Sequence, residues 1–406
     1  METRLDQVTD YIRHHHLAPD WLLASSRIRH ERTQIVNALQ STGKAVYGFT
    51  SMLGQLDTRV MATEEQDLVL QSHLVGVPEI ISSPAVRAIT GAKISQLAAG
   101  GSGISPEAWR ALLSVAPHVG ETLMDLNASY GAGDVVPAAW WATGVLPGQQ
   151  WQAGDVIALI NGNHVAVGIS VLAYLDLERA VDRFGLLAGP EMVAPLEASS
   201  GRHAAALTGR MQSRPAWQEL PQAPVSTRDG SPTARLVQNA MDVLGTELEH
   251  ALSRPSGNPV FTVEGGTVGA HSQSSFLNPS LTSALVAAQH AVAHLAAVTQ
   301  RATEITAERV LAEPDATSTV RGVMAVQQPK VSEAYRQQIA SHHSPMHLSG
   351  SMSGGVEDLW DNALLTARSV LRSLSLFDRQ LDILESVGVG HAAQKIGPQP
   401  EDSLTA

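Results

Sequence analysis

The chain has 406 residues, 44% apolar and 16% charged, with no cysteine and a formal net charge of -12. That length supports one large core or two domains, the absence of thiols excludes disulfides and cysteine metal sites, and the acidic balance argues against nucleic acid or an anionic membrane as the main partner. No apolar run approaches membrane-spanning length, and Met1-Glu2-Thr3-Arg4-Leu5-Asp6 opens with mixed charge rather than a basic region and an apolar core, so the expectation is a soluble cytoplasmic protein.

In chain order, strand signals are sparse: aromatics make up only 4% of the chain, while apolar residues recur at helical spacing. His14-His15-His16 reads as a solvated run. The stretch Leu126–Pro137 reads as a tight loop delivering the chain into a helix, with Gly131 and Gly133 flanking Ala132, Asp134 as a capping acid and Pro137 in the first turn. Free N–H groups at such a helix start suit an anion. The clearest periodic run is Leu281, Leu285, Ala288, Val292, Leu295, Thr299, Ala302 and Ile305, which predicts a long helix buried along one seam. A second runs from about Leu359 to Leu384. Gly/Pro/Ser-rich breaks fall near 99–106, 144–150, 213–232, 253–280 and 344–356. An all-α bundle of long helices follows, divided into an N-terminal helical domain (1–215) and a central long-helix domain (216–406). His290 and His294 have metal-binding spacing, but no third ligand is nearby, so no metal site is expected. No phosphate-binding lysine loop, dinucleotide fingerprint or serine nucleophile elbow is present.

Several motifs, in order, resemble those of the histidine/phenylalanine/tyrosine ammonia-lyase and aminomutase family. Val46-Tyr47-Gly48-Phe49-Thr50-Ser51-Met52-Leu53-Gly54 resembles the loop whose tyrosine is the family's proposed general base, which implies that role for Tyr47. A phenol titrates too high for that work unless it sits in a positive field. Ser72-His73 matches the pair selecting the substrate ring, in its histidine-lyase form, and Gly100-Gly101-Ser102-Gly103 matches a structural Gly-x-Ser-Gly. Gly131-Ala132-Gly133 falls on the Ala-Ser-Gly that cyclises into the electrophile 4-methylideneimidazol-5-one (MIO). Ala132 replaces the serine whose hydroxyl must be lost, so no MIO and no other cofactor is expected.

Ile157-Ala158-Leu159-Ile160-Asn161-Gly162 is close to the family's Leu-Ala-Leu-Leu-Asn-Gly, implying that Asn161 touches substrate. Gln222–Arg228 resembles Gln-Asp-x-Tyr-Ser-x-Arg, with Arg228 on the carboxylate-gripping arginine and Val225 in place of a second catalytic tyrosine. His271 falls loosely on an aromatic wall. Glu357 falls on the active-site glutamate of Gln-Glu-Asp-His-Val, and Gly354-Gly355 before it place it in a first helical turn with Asp358 as a helix-capping acid.

The resemblance covers about residues 30–390. It implies an ammonia-lyase fold of the fumarase/aspartase-like type, a homotetramer with shared active sites, and a small-molecule substrate. Tyr47, Asn161 and Glu357 are the expected catalytic residues; Arg228, Ser72, His73 and His271 are the expected substrate contacts. Three functions compete: an MIO-independent enzyme of specialised metabolism that uses Tyr47 for proton transfer in an elimination, isomerisation or cyclisation; a true ammonia-lyase or aminomutase seen as an Ala132 variant; and a non-catalytic binding homologue.

Overall fold

The computed structural model describes residues 2–187, 224–228, 230–342, 348–352 and 355–388. It divides into two compact units, one of Met1–Leu172, Gly245–Ser283 and Pro345–Arg368, the other of Ala173–Leu244, Ala284–Ser344 and Ser369–Ala406. The expected division into 1–215 and 216–406 differs from this. The chain leaves and re-enters each unit, and single long helices run through both ranges.

In the first unit, α1 (Arg4–His14) starts on a capping box of Thr3 and Asp6 and is followed by α2 (Pro19–Thr42) and α3 (Gln66–Ser72). A short antiparallel pair follows, β1 (Glu79–Ile81) with β2 (Thr122–Met124), in which Ile80 faces Leu123. The central element is α4 (Ser83–Ala98), buried on nearly every side from Ala85 to Ala98, its polar Thr90, Lys93, Ser95 and Gln96 included. Its neighbours approach closely through glycine. A Cβ on Gly91 would lie 2.9 Å from the Tyr11 ring, and one on Gly168 would lie 2.5 Å from the Ile89 Cα. Then come α5 (Pro106–Val115), α6 (Val135–Val145), α7 (Asp155–Ile160) and the start of α8 (His164–Leu187). Two hairpins complete the unit: β3 (Val260–Glu264) with β4 (Thr267–His271), and β5 (Leu348–Met352) with β6 (Glu357–Trp360).

The short α9 (Val225–Arg228) precedes α10 (Ser231–Leu252). In the second unit the long helices α11 (Pro279–Leu311), α12 (Val320–Ser341) and α13 (Ala363–Gly388) pack together. The Gln380 amide, fully buried, donates to Ala296 O and Ser332 Oγ, and Phe184 packs on Phe377.

The seam predicted from Leu281 onward is one face of α11, where Leu281, Leu285, Ala288, Val292, Leu295, Thr299 and Ala302 are all buried. The second predicted helix begins later than Leu359, at Ala363, because Glu357–Trp360 is a strand. Contrary to expectation, two stretches, Asp155–Leu187 and Pro279–Leu311, are long and apolar enough to cross a membrane by length and composition. Of their most apolar windows, 89% and 61% lie buried inside the fold, as core helices do.

Candidate active site

The loop from Asp125 to Asp134 is pinned at both edges. Asp125 accepts from the Val77 and Asn127 amides at 2.7 and 2.9 Å. Gly131 sits at φ +95°, its carbonyl accepting from the Asp361 amide at 3.0 Å; a Cβ there would fall 1.8 Å from Asp361 O. On the other edge the Asp134 amide donates to Gly162 O at 3.0 Å, and the Val135 amide turns back to Gly133 O at 2.8 Å. Two of the N–H groups expected to be free for an anion are therefore already engaged. Asp134 does not cap its own helix. Its carboxylate accepts from Ser129 Oγ at 2.7 Å and from the Ala166 amide, in the first turn of α8, at 2.9 Å. Burial pushes this acid up to about 6, against the pull of those two bonds. Ala132 is buried at the centre of the loop.

Beside the loop, Tyr130 Oη donates to Glu357 Oε2 at 2.6 Å, and its ring meets Trp360 edge-on at 5.6 Å. Burial first, and then the Glu357 carboxylate, hold the Tyr130 phenol well above its ordinary value, with a further upward push from Tyr47. Tyr47 accepts from the Gly54 amide at 3.0 Å through its hydroxyl. Its own phenol is raised by burial, against that bond, and raised further by Glu357 and Asp57. The groups that act on Tyr47 here are carboxylates rather than the positive field that a tyrosine base requires, so Tyr47 is protonated at neutral pH. Gly48, next to it, is forced by close packing: a Cβ would lie 2.6 Å from the Ile157 side chain.

Glu357 lies in β6, not in a first helical turn as expected. The helix start is set by Asp361, whose carboxylate accepts from the Ala363 amide at 2.9 Å and from the Asn278 amide, while Asp358 is exposed.

Behind the loop, Asn161 ends α7. Its carbonyl accepts from Lys93 Nζ at 3.2 Å, and its buried Oδ1 has no hydrogen-bond partner among the described residues. The Ser72 hydroxyl and His73 Nδ1 bond to Val69 O at 2.8 and 2.7 Å, within their own helix end. His271 is exposed at the end of β4, its Nε2 2.9 Å from Thr262 Oγ1. The ring that faces the loop is Phe276, 3.7 Å from where a Gly133 Cβ would be, so the aromatic wall assigned to His271 falls five residues later. Arg228 ends α9, but its side chain lies outside the described residues. The structure thus joins Tyr47, Tyr130 and Glu357 around the loop, and Asn161 backs it through Gly162. Tyr130 and Lys93 are the residues that sequence reasoning missed.

A family profile described as aromatic amino acid lyase matches residues 4–151. A probable histidine ammonia-lyase of Halobacterium salinarum is 28% identical over 354 residues, 71% of this chain and 66% of that protein. The chain is similar to the aromatic amino-acid lyases and aminomutases, and its residues 4–151 carry their profile. The histidine ammonia-lyase of Vibrio cholerae is 31% identical over 142 residues, 34% of this chain and 28% of that protein. The chain therefore spans less than two thirds of the length of these curated relatives. Among solved structures, the ergothioneine-degrading ergothionase of Treponema denticola superposes with a TM-score of 0.74 at 16% identity, covering 97% of this chain and 89% of that one. Tyrosine aminomutase of Streptomyces globisporus gives 0.76 at 16% identity over 98% of this chain and 88% of that one. These structural matches establish the mostly helical lyase fold. The MIO group does not fit the residues present in this chain: Ala132 has no β-hydroxyl to eliminate.

Proposed function

We propose that the chain is a lyase-family enzyme that works without MIO. It moves a proton on a small carbonyl- or carboxylate-bearing substrate in an elimination, isomerisation or cyclisation of specialised metabolism. The observation that carries this reading is the 2.6 Å hydrogen bond from Tyr130 to Glu357 at the edge of the Gly131-Ala132-Gly133 loop. Glu357 accepts the substrate proton; in an isomerisation or cyclisation Tyr130 or Tyr47 gives its hydroxyl proton to the anion that forms and is reprotonated from Glu357, whereas in an elimination the anion expels the leaving group and Glu357 returns its proton to water. Asn161 supports the loop from behind, and the carboxylate grip stays with Arg228 as the resemblance implies. With no electrophile to carry off an amine, an elimination here needs a leaving group that departs unaided, as a quaternary ammonium does. The Tyr130 and Trp360 rings beside the Glu357 carboxylate form a surface suited to such a cation.

The test is turnover followed by mass spectrometry with histidine, phenylalanine, tyrosine and ergothioneine. Glu357→Gln and Tyr130→Phe should each lower kcat by about a hundredfold, and Tyr47→Phe by at least about tenfold. Undiminished turnover in a Glu357→Gln/Tyr130→Phe double variant would sink the mechanism. Gly131 and Gly133 on either side of Ala132 leave Gly-Ser-Gly, an acceptable MIO precursor, one substitution away, which favours one alternative, a histidine or aromatic amino-acid ammonia-lyase seen as an Ala132 variant. Under that reading, Ala132→Ser loses water mass, gains a near-ultraviolet band and releases ammonia; under ours it stays unmodified. Tight binding with no product from any substrate would instead support a ligand-binding homologue.

A further inference from the structure

On the far side of Asn161 a cavity of about 20 Å³ is walled by Lys93, Gln96, Ser102, Ser256 and Asn258, with no acidic residue among its lining. Lys93 is 2% exposed. Its ammonium has three N–H donors and one hydrogen-bond partner among the described residues, Asn161 O at 3.2 Å. The neighbouring Gln96 amide is committed elsewhere. Gln96 donates to Asn163 Oδ1 and Ala251 O and accepts from Ser256 Oγ. The titratable group beside Lys93 is His164, fully buried, with neither ring nitrogen hydrogen-bonded among the described residues; burial first, then Lys93, holds its pKa well below the usual range, so it stays neutral. No carboxylate lies within ion-pair distance of Nζ among the described residues. A buried ammonium without a counter-ion is costly. Burial accordingly brings Lys93 down to about 7.

We propose that this cavity takes the carboxylate end of a small ligand, its anionic oxygens on the two unmet Lys93 donors and its body outside. The volume decides the size class. A water needs on the order of 10–15 Å³ of such space, so about 20 Å³ takes one water-sized group, such as the oxygen end of a carboxylate, and no ring. Because the Lys93 ammonium also holds Asn161 O, occupancy is felt at the residue that backs the Gly131-Ala132-Gly133 loop through Gly162.

Acetate is the probe, with binding followed by calorimetry in buffers of different ionisation heat. An anion stabilises the charged amine, so affinity is greatest near pH 6, drops below about pH 5 as acetate itself protonates, and falls roughly tenfold per pH unit above about 7. Binding takes up close to one proton near pH 8.5 and close to none near pH 6. Lys93→Met should abolish both binding and proton uptake, whereas Ser256→Ala weakens binding and keeps the uptake. Equal affinity in Lys93→Met, pH-independent binding, or no binding to the parent at pH 6 would each overturn the proposal. Should Lys93→Met fail to fold, the Lys93 titration followed by NMR in the parent decides: acetate must raise its midpoint, and an unmoved midpoint overturns the idea. No turnover enters these readouts, so failure of the catalytic reading leaves them intact.

Discussion

Gly131 holds a backbone position that a side chain cannot share, since φ is +95° and the Asp361 carbonyl occupies the Cβ site. Gly131→Ala should therefore cost about 3 kcal/mol or more, read as a lowered denaturant midpoint. Gly133 also has a positive φ, +75°, but its Cβ would meet nothing closer than 3.6 Å, so Gly133→Ala should cost only the strain, about 1–2 kcal/mol. Asp134 gives a pH signature. Its folded pKa, about 6, lies above its ordinary 3.8. Across that window the folded state binds more protons than the unfolded one, so this group's contribution to stability falls as pH rises from about 4 to about 6 and then levels off. Asp134→Asn should flatten that part of the stability profile; an unchanged slope would show that another acid carries it. At this scale Glu357 and Asn161 were legible because each sits in a recognisable local motif. Tyr130 was not, because its partner is 227 residues away. Lys93 lies in a helix whose sequence says nothing of its depth.

The elements were set by local signals where those signals were long. The period of α11 repeats over many turns and fixed both the helix and its buried face. Short elements were decided by partners. Glu357–Trp360 carries no strand alternation strong enough to overrule a helical reading, yet it pairs with Leu348–Met352, Leu348 opposite Trp360. The register delivers Glu357 to Tyr130. Asp361 then starts α13 and ties it to the Asn278 amide, two acceptor roles in one carboxylate. Asp361→Ala should cost about 1–3 kcal/mol, measured by urea unfolding, and should loosen the Gly131 edge of the loop. Asp358→Ala, at an exposed position, should change stability by no more than about 0.5 kcal/mol.

At the scale of the molecule, α12 presents Val320, Val323, Met324 and Val331 to solvent at 78%, 55%, 49% and 43% exposure. Their three-, four- and seven-residue spacing forms one stripe on the helix. Such a face fits the self-association that the family resemblance implies. Sedimentation should find an assembly larger than a monomer, and Val323→Glu with Met324→Glu should shift it toward smaller species; a monomeric parent would remove the shared-site expectation.

The sequence by itself determined the helical class, the long α11, the loop around Ala132 and the loss of the hydroxyl that MIO requires, because each is written in neighbouring residues. It also carried the family through collinear motifs. The tertiary structure decided what surrounds those motifs: that Tyr47 faces carboxylates rather than cations, that Tyr130 holds Glu357, that Phe276 rather than His271 walls the loop, and that Lys93 is buried beside Asn161. Desolvation and the field from distant chain segments set these properties, and neither is a function of local sequence.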